Sequence, residues 1–297
     1  MIYINDLPEA TEFFIKLYAD DTFLCAQNDD IFLLEEQVNV ELDKVFMWLA
    51  SNKLTLNVDK SKFMLTTRKK NLPKEFSVKI NGRDLKQCDS YKYLGVYFDK
   101  NLSRKPHIDY ISQKISKACG PLSKLRNCVD IEILRVYHTL IHSYLRNGII
   151  AWGTAAPTDL KPLDVLSNRA IRIMCYAPFG KIDLEPLYSI LEILKVSQIY
   201  LLEVGKFVFK EKNNLLPVCI AKYFDVREIP QHGYNLRDRN ETRGPIIVQR
   251  TLLGDKSIQK RGYDCWKDIP DEIKEIVSPI FFKKKLKLHF LTPILDA

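Results

Sequence analysis

The sequence predicts an α+β fold, and three observations predict it. The first hundred residues are short β-prone runs separated by turn residues, with one stretch of helical period among them. From residue 104 the apolar residues recur at intervals of three and four for about a hundred residues, as packed helices require. Near the front, Tyr18-Ala19-Asp20-Asp21 joins two β-prone runs, Thr11–Leu17 and Thr22–Ala26, as a hairpin with its acids at the tip. At 297 residues and 46% hydrophobic, the chain can build a real core, organised as two or three domains rather than a disordered chain.

The opening residues, Met1-Ile2-Tyr3-Ile4-Asn5-Asp6-Leu7-Pro8, begin inside an apolar segment and end at a proline turn, which reads as a chain truncated at its front. After the acidic hairpin, Asp29-Asp30 is placed to cap a helix with apolar positions Leu33, Leu34, Val38, Leu42, Val45, Phe46 and Leu49. Ser51-Asn52 breaks it, and Lys53–Val58 alternates like a strand. A β run at Lys60–Leu65 follows, then Phe76–Ile80 with an Asn81-Gly82 hairpin turn, then Ser90–Phe98 as a strand interrupted by Gly95.

The helical stretch opens with Ile108, Ile111, Ile115, Ala118, Leu122 and Leu125 on one arc, while Lys114, Lys117 and Lys124 gather on a neighbouring arc. Gly120-Pro121 is expected to kink or split this helix. A second helix is expected from Asp130 to about Ile150, with a core face of Ile133, Leu134, Tyr137, Leu140, Ile141, Tyr144 and Leu145. Opposite lie Arg135, His138, His142 and Arg146. His138 and His142 stand four apart, a spacing that suits one metal ion, but no third ligand accompanies them. Helices at about 159–176, with Arg169 and Arg172 outward, and at about 185–212 complete the region. Turn-rich segments follow Leu216-Pro217, and Phe281–Phe290 closes the chain as a short basic amphipathic helix that is either a solvated end or a nucleic-acid contact. The expected domains are 1–100, 101–215 and 216–297.

Charge separates the two regions. The net charge is +8, yet residues 1–50 hold 11 acids against Lys16 and Lys44, so the remainder carries a net +17. An acidic patch beside a basic body suits a cation site next to a polyanion track, and equally an acidic N-terminal region followed by solvated basic helices. Seven cysteines without a C-x-x-C pair indicate neither a disulfide framework nor a zinc knuckle, and read as buried small hydrophobes in a reducing compartment. No signal-like segment or span-length apolar run is visible, so the expectation is a soluble intracellular protein with no membrane partner. No obligate protein partner is indicated. Two adjacent aspartates at a turn are usually structural, since Asp hydrogen-bonds its own backbone there; carboxylates are also the ligands that a hard cation such as Mg²⁺ prefers.

Four pieces in order break that tie. Ile2–Pro8, Phe14–Leu24 around Tyr18-Ala19-Asp20-Asp21, Trp48–Lys62 with Asn52-Lys53-Leu54-Thr55-Leu56-Asn57 and Lys60-Ser61, and Tyr91–Phe98 with Tyr93-Leu94-Gly95 together resemble a non-LTR retrotransposon reverse transcriptase. The resemblance is to the C-terminal half of the jockey-like and LINE-like group: part of the palm, then the thumb. Ser61 stands where the family usually has Thr. Tyr234-Asn235-Leu236-Arg237 and Trp266–Pro270 are similar to segments near the ends of such proteins.

The resemblance implies RNA-directed DNA polymerase activity by two-metal nucleotidyl transfer, with Mg²⁺ as cofactor and an RNA template and DNA primer as partners. It implies Asp20 as main metal ligand, Asp21 as a second ligand, and Lys60 as acid or charge stabiliser for pyrophosphate, with Lys62 available for the same role. Tyr18 is implied near the minor groove or the primer terminus, Tyr93-Leu94-Gly95 as a primer-grip hairpin, and Lys114, Lys117 and Lys124 along the duplex phosphates. The family places a further catalytic Asp and a Gln-Gly-containing nucleotide pocket upstream of Met1, so this chain alone is expected to be inactive or nearly so. The alternative is a non-enzymatic nucleic-acid-binding remnant.

Overall fold

In the computed structural model, residues 4–67, 69, 76–129, 132–178, 180, 182–221 and 252–291 are described. They form a mixed fold of helices and small two-stranded sheets in two compact units, the first spanning 1–93 and 97–103 and the second 94–96 and 104–297.

In the first unit a single 3₁₀ turn, Leu7–Glu9, leads into the antiparallel pair β1 (Phe14–Tyr18) and β2 (Asp21–Cys25). Helix α1 (Ile31–Ser51) follows, and Asp30 caps it by accepting hydrogen bonds from Phe32 N at 2.7 Å and Leu33 N at 3.1 Å. Leu42, Val45 and Leu49 of α1 form one core with Leu7, Phe13, Val78 and Ile80.

The strand expected at Lys53–Val58 is absent, and the helix end explains why. Lys53 takes a positive φ of 56°, Leu54 N donates to Leu49 O at 2.8 Å, and Lys53 N donates to Ala50 O at 3.0 Å. That pair of bonds is the Schellman motif, so Asn52-Lys53-Leu54 satisfies helix carbonyls instead of starting a strand.

The later strands are short. β3 (Lys62–Phe63) pairs in parallel with β6 (Lys86–Gln87), and β4 (Lys79–Ile80) pairs with β5 (Arg83–Asp84) across the Asn81-Gly82 turn. Asn39 holds α1 to β4: its amide donates to Ser77 O at 3.1 Å and its carbonyl accepts from Lys79 N at 2.7 Å. Ser90–Phe98, expected as one interrupted strand, is a hairpin of β7 (Ser90–Tyr93) and β8 (Val96–Asp99).

The second unit is helical. Helix α2 (Lys105–Leu125) buries Ile108, Ile111, Ile115, Cys119 and Leu122 and packs on α6 (Pro157–Met174), whereas Ala118 is half-buried and Leu125 exposed. Of the kink or split expected at Gly120-Pro121, the split does not occur, and the helix runs on through Pro121. Proline costs one backbone donor, and Gly120 carries no Cβ to clash with the following ring.

The single helix expected to Ile150 is instead α3 (Ile133–Tyr137), a π-helical turn (His138–His142), α4 (Ser143–Arg146) and, beyond a break at Asn147-Gly148, α5 (Ile149–Trp152). Of its expected core face, Tyr137, Ile141 and Leu145 are buried, while Tyr144 is only half-buried. The helix expected at 185–212 is likewise two, α7 (Glu185–Ile190) and α8 (Val196–Lys212). Glu192 at φ 50° and the Ile193 N to Tyr188 O bond of 2.9 Å end α7, and Lys195 N donates to the Gln198 side chain at 2.9 Å to open α8. Neither boundary carries glycine or proline, which is why periodicity alone runs through it.

Short helices α9 (Val218–Ala221) and α10 (Leu252–Asp255) precede α11 (Ile258–Asp268), α12 (Asp271–Lys274) and α13 (Pro279–Leu291). Phe282 of α13 stacks on Phe209 of α8 at 4.3 Å and lies 5.9 Å from the ring of Trp266 in α11. The Tyr234–Arg237 segment lies outside the described residues.

All seven cysteines are free thiols, but only Cys119 and Cys265 are buried; Cys25, Cys128 and Cys219 are exposed, which corrects the expectation for the set. Among the described residues no helix is long and apolar enough to cross a membrane.

Candidate functional site

The acidic hairpin turns in two residues. Tyr18 and Asp21 face each other as the last paired residues of β1 and β2, leaving Ala19 and Asp20 in the loop. Ala19 has φ 53°, while Asp20 is not among the positive-φ residues, the sign pattern of a type II′ turn. That turn favours glycine at its first central position, so Ala19 stores backbone strain of about 1 kcal/mol or more at the place where the two acids are presented. Tyr18, Ala19, Asp20 and Asp21 are all exposed.

A buried carboxylate fixes where this hairpin stands. Glu41, on the core-facing arc of α1 and only 4% exposed, accepts from Thr11 Oγ1 at 2.6 Å, Glu12 N at 2.8 Å and Lys44 Nζ at 2.6 Å. Burial alone would raise its pKa. The hydrogen bonds from Lys44, Thr11 and the Glu12 amide, with the Lys44 charge, outweigh that and hold it at about 2. Glu41 thus ties α1 to the segment that enters β1. In the sequence it shows only as an acid in register with Val38, Leu42 and Val45.

Tyr93 is the candidate residue that the fold brings to the acids. Its ring lies 5.5 Å from that of Phe23 on β2, and burial together with the Asp21 charge raises its phenol pKa. Leu94 and Gly95 make the following turn with φ 46° and 87°, the two positive values of a type I′ turn. Glycine suits the φ of 87° at position 95, and a Cβ there would stand 3.0 Å from Asn147 Nδ2, so that the amide would have to give by a few tenths of an ångström.

Lys60 sits in a separate turn, exposed, and its ammonium makes no hydrogen bond or ion pair among the described residues. The turn is built by two motif neighbours: Asn57 Oδ1 accepts from Lys60 N at 3.2 Å, and Ser61 Oγ donates to Asn57 O at 3.0 Å. A serine hydroxyl makes that bond as a threonine would. Lys114, Lys117 and Lys124 lie on α2 in the second unit, where Lys114 rests 5.5 Å over the Tyr110 ring and Lys117 and Lys124 are exposed.

The two carboxylates are donors of the type a hard divalent cation takes, and they are adjacent and accessible. Among the described residues no group of three or more His, Cys, Asp or Glu side chains is arranged to hold a metal ion. The His138–His142 pair has no third ligand in that sense either.

Residues 1–98 match the family model described as reverse transcriptase (RNA-dependent DNA polymerase). The chain is 25% identical over 191 residues to the RNA-directed DNA polymerase from mobile element jockey of Drosophila melanogaster, covering 60% of this chain and 20% of that protein. The jockey protein of Drosophila funebris is 26% identical over 173 residues, covering 57% and 19%. The Drosophila melanogaster protein named "Probable RNA-directed DNA polymerase from transposon BS" is 27% identical over 169 residues, covering 56% and 19%. This chain therefore spans about a fifth of the length of these relatives. No solved structure matches it. The Tyr18–Asp21 hairpin and the Tyr93-Leu94-Gly95 turn both lie inside the segment that matches the reverse transcriptase model, and the chain is similar to RNA-directed DNA polymerases of jockey-type mobile elements.

Proposed function

We propose that these 297 residues are part of an RNA-directed DNA polymerase of a jockey-like retrotransposon. Residues 1–100 would serve as a partial palm, 101–215 as a thumb, and 216–297 as a C-terminal region. The observation that carries this reading is the match over residues 1–98, within which the acids occupy a strained, exposed turn beside Tyr93. Reverse transcriptases work with divalent metal ions. Here Asp20 and Asp21 would hold Mg²⁺, which when bound activates a primer hydroxyl and neutralises phosphate charge.

The chain's own residues divide the remaining work. Tyr18 flanks the acids on the neighbouring strand, where an aromatic ring can rest against a nucleotide. The Leu94-Gly95 turn presents backbone without a bulky side chain at its second position, which allows a strand to approach. Lys60, held out by the Asn57–Ser61 turn, would place a point charge for pyrophosphate. Lys117 and Lys124 would follow duplex phosphates without reading sequence.

With two carboxylates at the turn and no third beside them among the described residues, the isolated chain is proposed to bind primer-template duplex and to extend it poorly or not at all. Primer extension in Mg²⁺ and Mn²⁺, run beside a binding titration at several salt concentrations, tests this. Binding that weakens steeply with salt, without synthesis, is expected. Absence of binding even at low salt would remove the polymerase-fragment reading, and clear template-dependent synthesis would remove the claim of inactivity.

A further inference from the structure

Two features of the sequence that the polymerase reading leaves unused meet in the helical unit. The His138–His142 pair and the basic helix α13, about 140 residues apart in the chain, line one cavity of about 740 Å³. Its charged walls are His138, His142, Arg146, Glu203, Lys283 and Lys287, with Glu192 at its edge. That volume lies within the range of roughly 300–1,000 Å³ typical of small-ligand sites.

The cations around this cavity outnumber the acids. Glu203 is shared by Arg146 at 2.8 Å and Lys206 at 2.6 Å, Glu192 meets Lys287 only at 3.5 Å, and Lys283 makes no ion pair among the described residues. Two carboxylates thus face three permanent cations on the cavity wall, Arg146, Lys283 and Lys287, an excess that a bound anion would neutralise.

The imidazoles report the same field. Their rings meet edge to face at 5.0 Å across the π-helical turn, a local geometry that recurs at functional sites. His142 Nδ1 is buried without a hydrogen-bond partner among the described residues. Burial, then His138, Arg146 and Lys287, push His142 down to about 4 against the opposing pull of Glu203, while burial and Lys287 lower His138. His142 is therefore neutral at pH 7, held so by burial and by the same cations that line the cavity.

We propose that this cavity is a binding site for a phosphomonoester, a phosphate dianion carried on a group of nucleotide size, with Lys283, Lys287 and Arg146 as its charged contacts. A phosphomonoester is free as a nucleotide or sits at the end of a nucleic-acid strand. The site shares no residue with the acidic hairpin or with the Lys114, Lys117, Lys124 stripe.

The test is a titration of the full chain with inorganic phosphate, a nucleoside monophosphate, and one oligonucleotide in 5′-phosphorylated and 5′-hydroxyl forms. Binding is followed by fluorescence anisotropy and by histidine ring NMR signals, of which there are five. The phosphorylated oligonucleotide or the nucleotide is expected to bind more tightly than its unphosphorylated counterpart, and to shift the His142 titration upward. Lys283→Ser/Lys287→Ser is expected to lower that affinity roughly tenfold or more, as loss of charge-assisted contacts does. Lys284→Ser/Lys285→Ser removes the same charge from the same helix outside the cavity and is expected to leave the phosphate preference intact. Preference for the strand end over the free nucleotide identifies the source as nucleic acid, and the reverse preference identifies a free nucleotide; either supports the site. Equal binding of both oligonucleotide forms, or equal losses in the two double variants, would overturn it. Because the 5′-hydroxyl form still reads duplex or strand binding elsewhere, that failure is distinguishable from failure of the polymerase reading.

Discussion

In the N-terminal unit the charged residues of interest stand at the end of a two-stranded ribbon that exposes Phe14 and Tyr18 along one side; in the helical unit they line a cavity walled by three separate helical elements and a connecting loop. A two-stranded ribbon has little stability of its own, so the acidic turn depends on what holds the ribbon's base. Here that is Glu41 and the core around Phe13, Leu42 and Val45. The cavity of the helical unit instead depends on packing at a distance, above all on Phe282 between Phe209 and Trp266. One site is positioned by short-range hydrogen bonds and the other by the close fit of a core, and substitutions should separate them.

The largest effect is expected from Phe282→Ala. The side chain is fully buried, so its removal should cost about 3–5 kcal/mol. Urea unfolding followed by the tryptophans should show it, and hydrogen exchange should show the loss confined to 104–297. Equal loss of protection in α1 would break the distinction between the units.

Next comes Glu41→Gln, which keeps the shape but removes the charge that Lys44, Thr11 and the Glu12 amide bind; about 2 kcal/mol is expected. Because the folded pKa of about 2 lies below the ordinary 4.5, the contribution of Glu41 is complete above pH 4.5 and is lost as pH falls toward 2. Exchange at Thr11–Phe13 and along α1 should accelerate over that interval in the native chain and change less in the variant. A variant with the same pH profile as the native chain would show that another group governs it.

A smaller effect is expected at the turn itself. Ala19→Gly places the residue that tolerates positive φ where Ala19 is strained, and should stabilise the ribbon by up to about 1 kcal/mol. Amide exchange across β1 and β2 measures it; a slower ribbon is predicted, and a faster one would mean that Ala19 is unstrained.

The same contrast explains what the sequence made legible. Tyr18-Ala19-Asp20-Asp21, Asn81-Gly82 and the Asp30 cap were readable because turn and cap chemistry is set by residues two or three positions apart. The false strand at Lys53–Val58 arose because apolar alternation is a two-residue signal, while the Schellman bonds that overrode it involve helix carbonyls up to five residues back. Glu41 was hidden for the opposite reason: an acid in an apolar stripe acquires meaning only from Thr11 and Glu12, thirty residues earlier. The cavity was beyond reading in the same way, since α4, α8 and α13 meet only in the folded chain.

Asp20 and Asp21 are proposed to form part of a divalent metal site. Amide NMR with substoichiometric Mn²⁺ tests it most directly, in the native chain and in Asp20→Asn, an exposed substitution expected to change stability by less than about 0.5 kcal/mol. The account predicts that signals from Tyr18 to Thr22 broaden first in the native chain, that Mg²⁺ competes, and that Asp20→Asn abolishes the effect. Broadening centred elsewhere, or unchanged by Asp20→Asn, would contradict it.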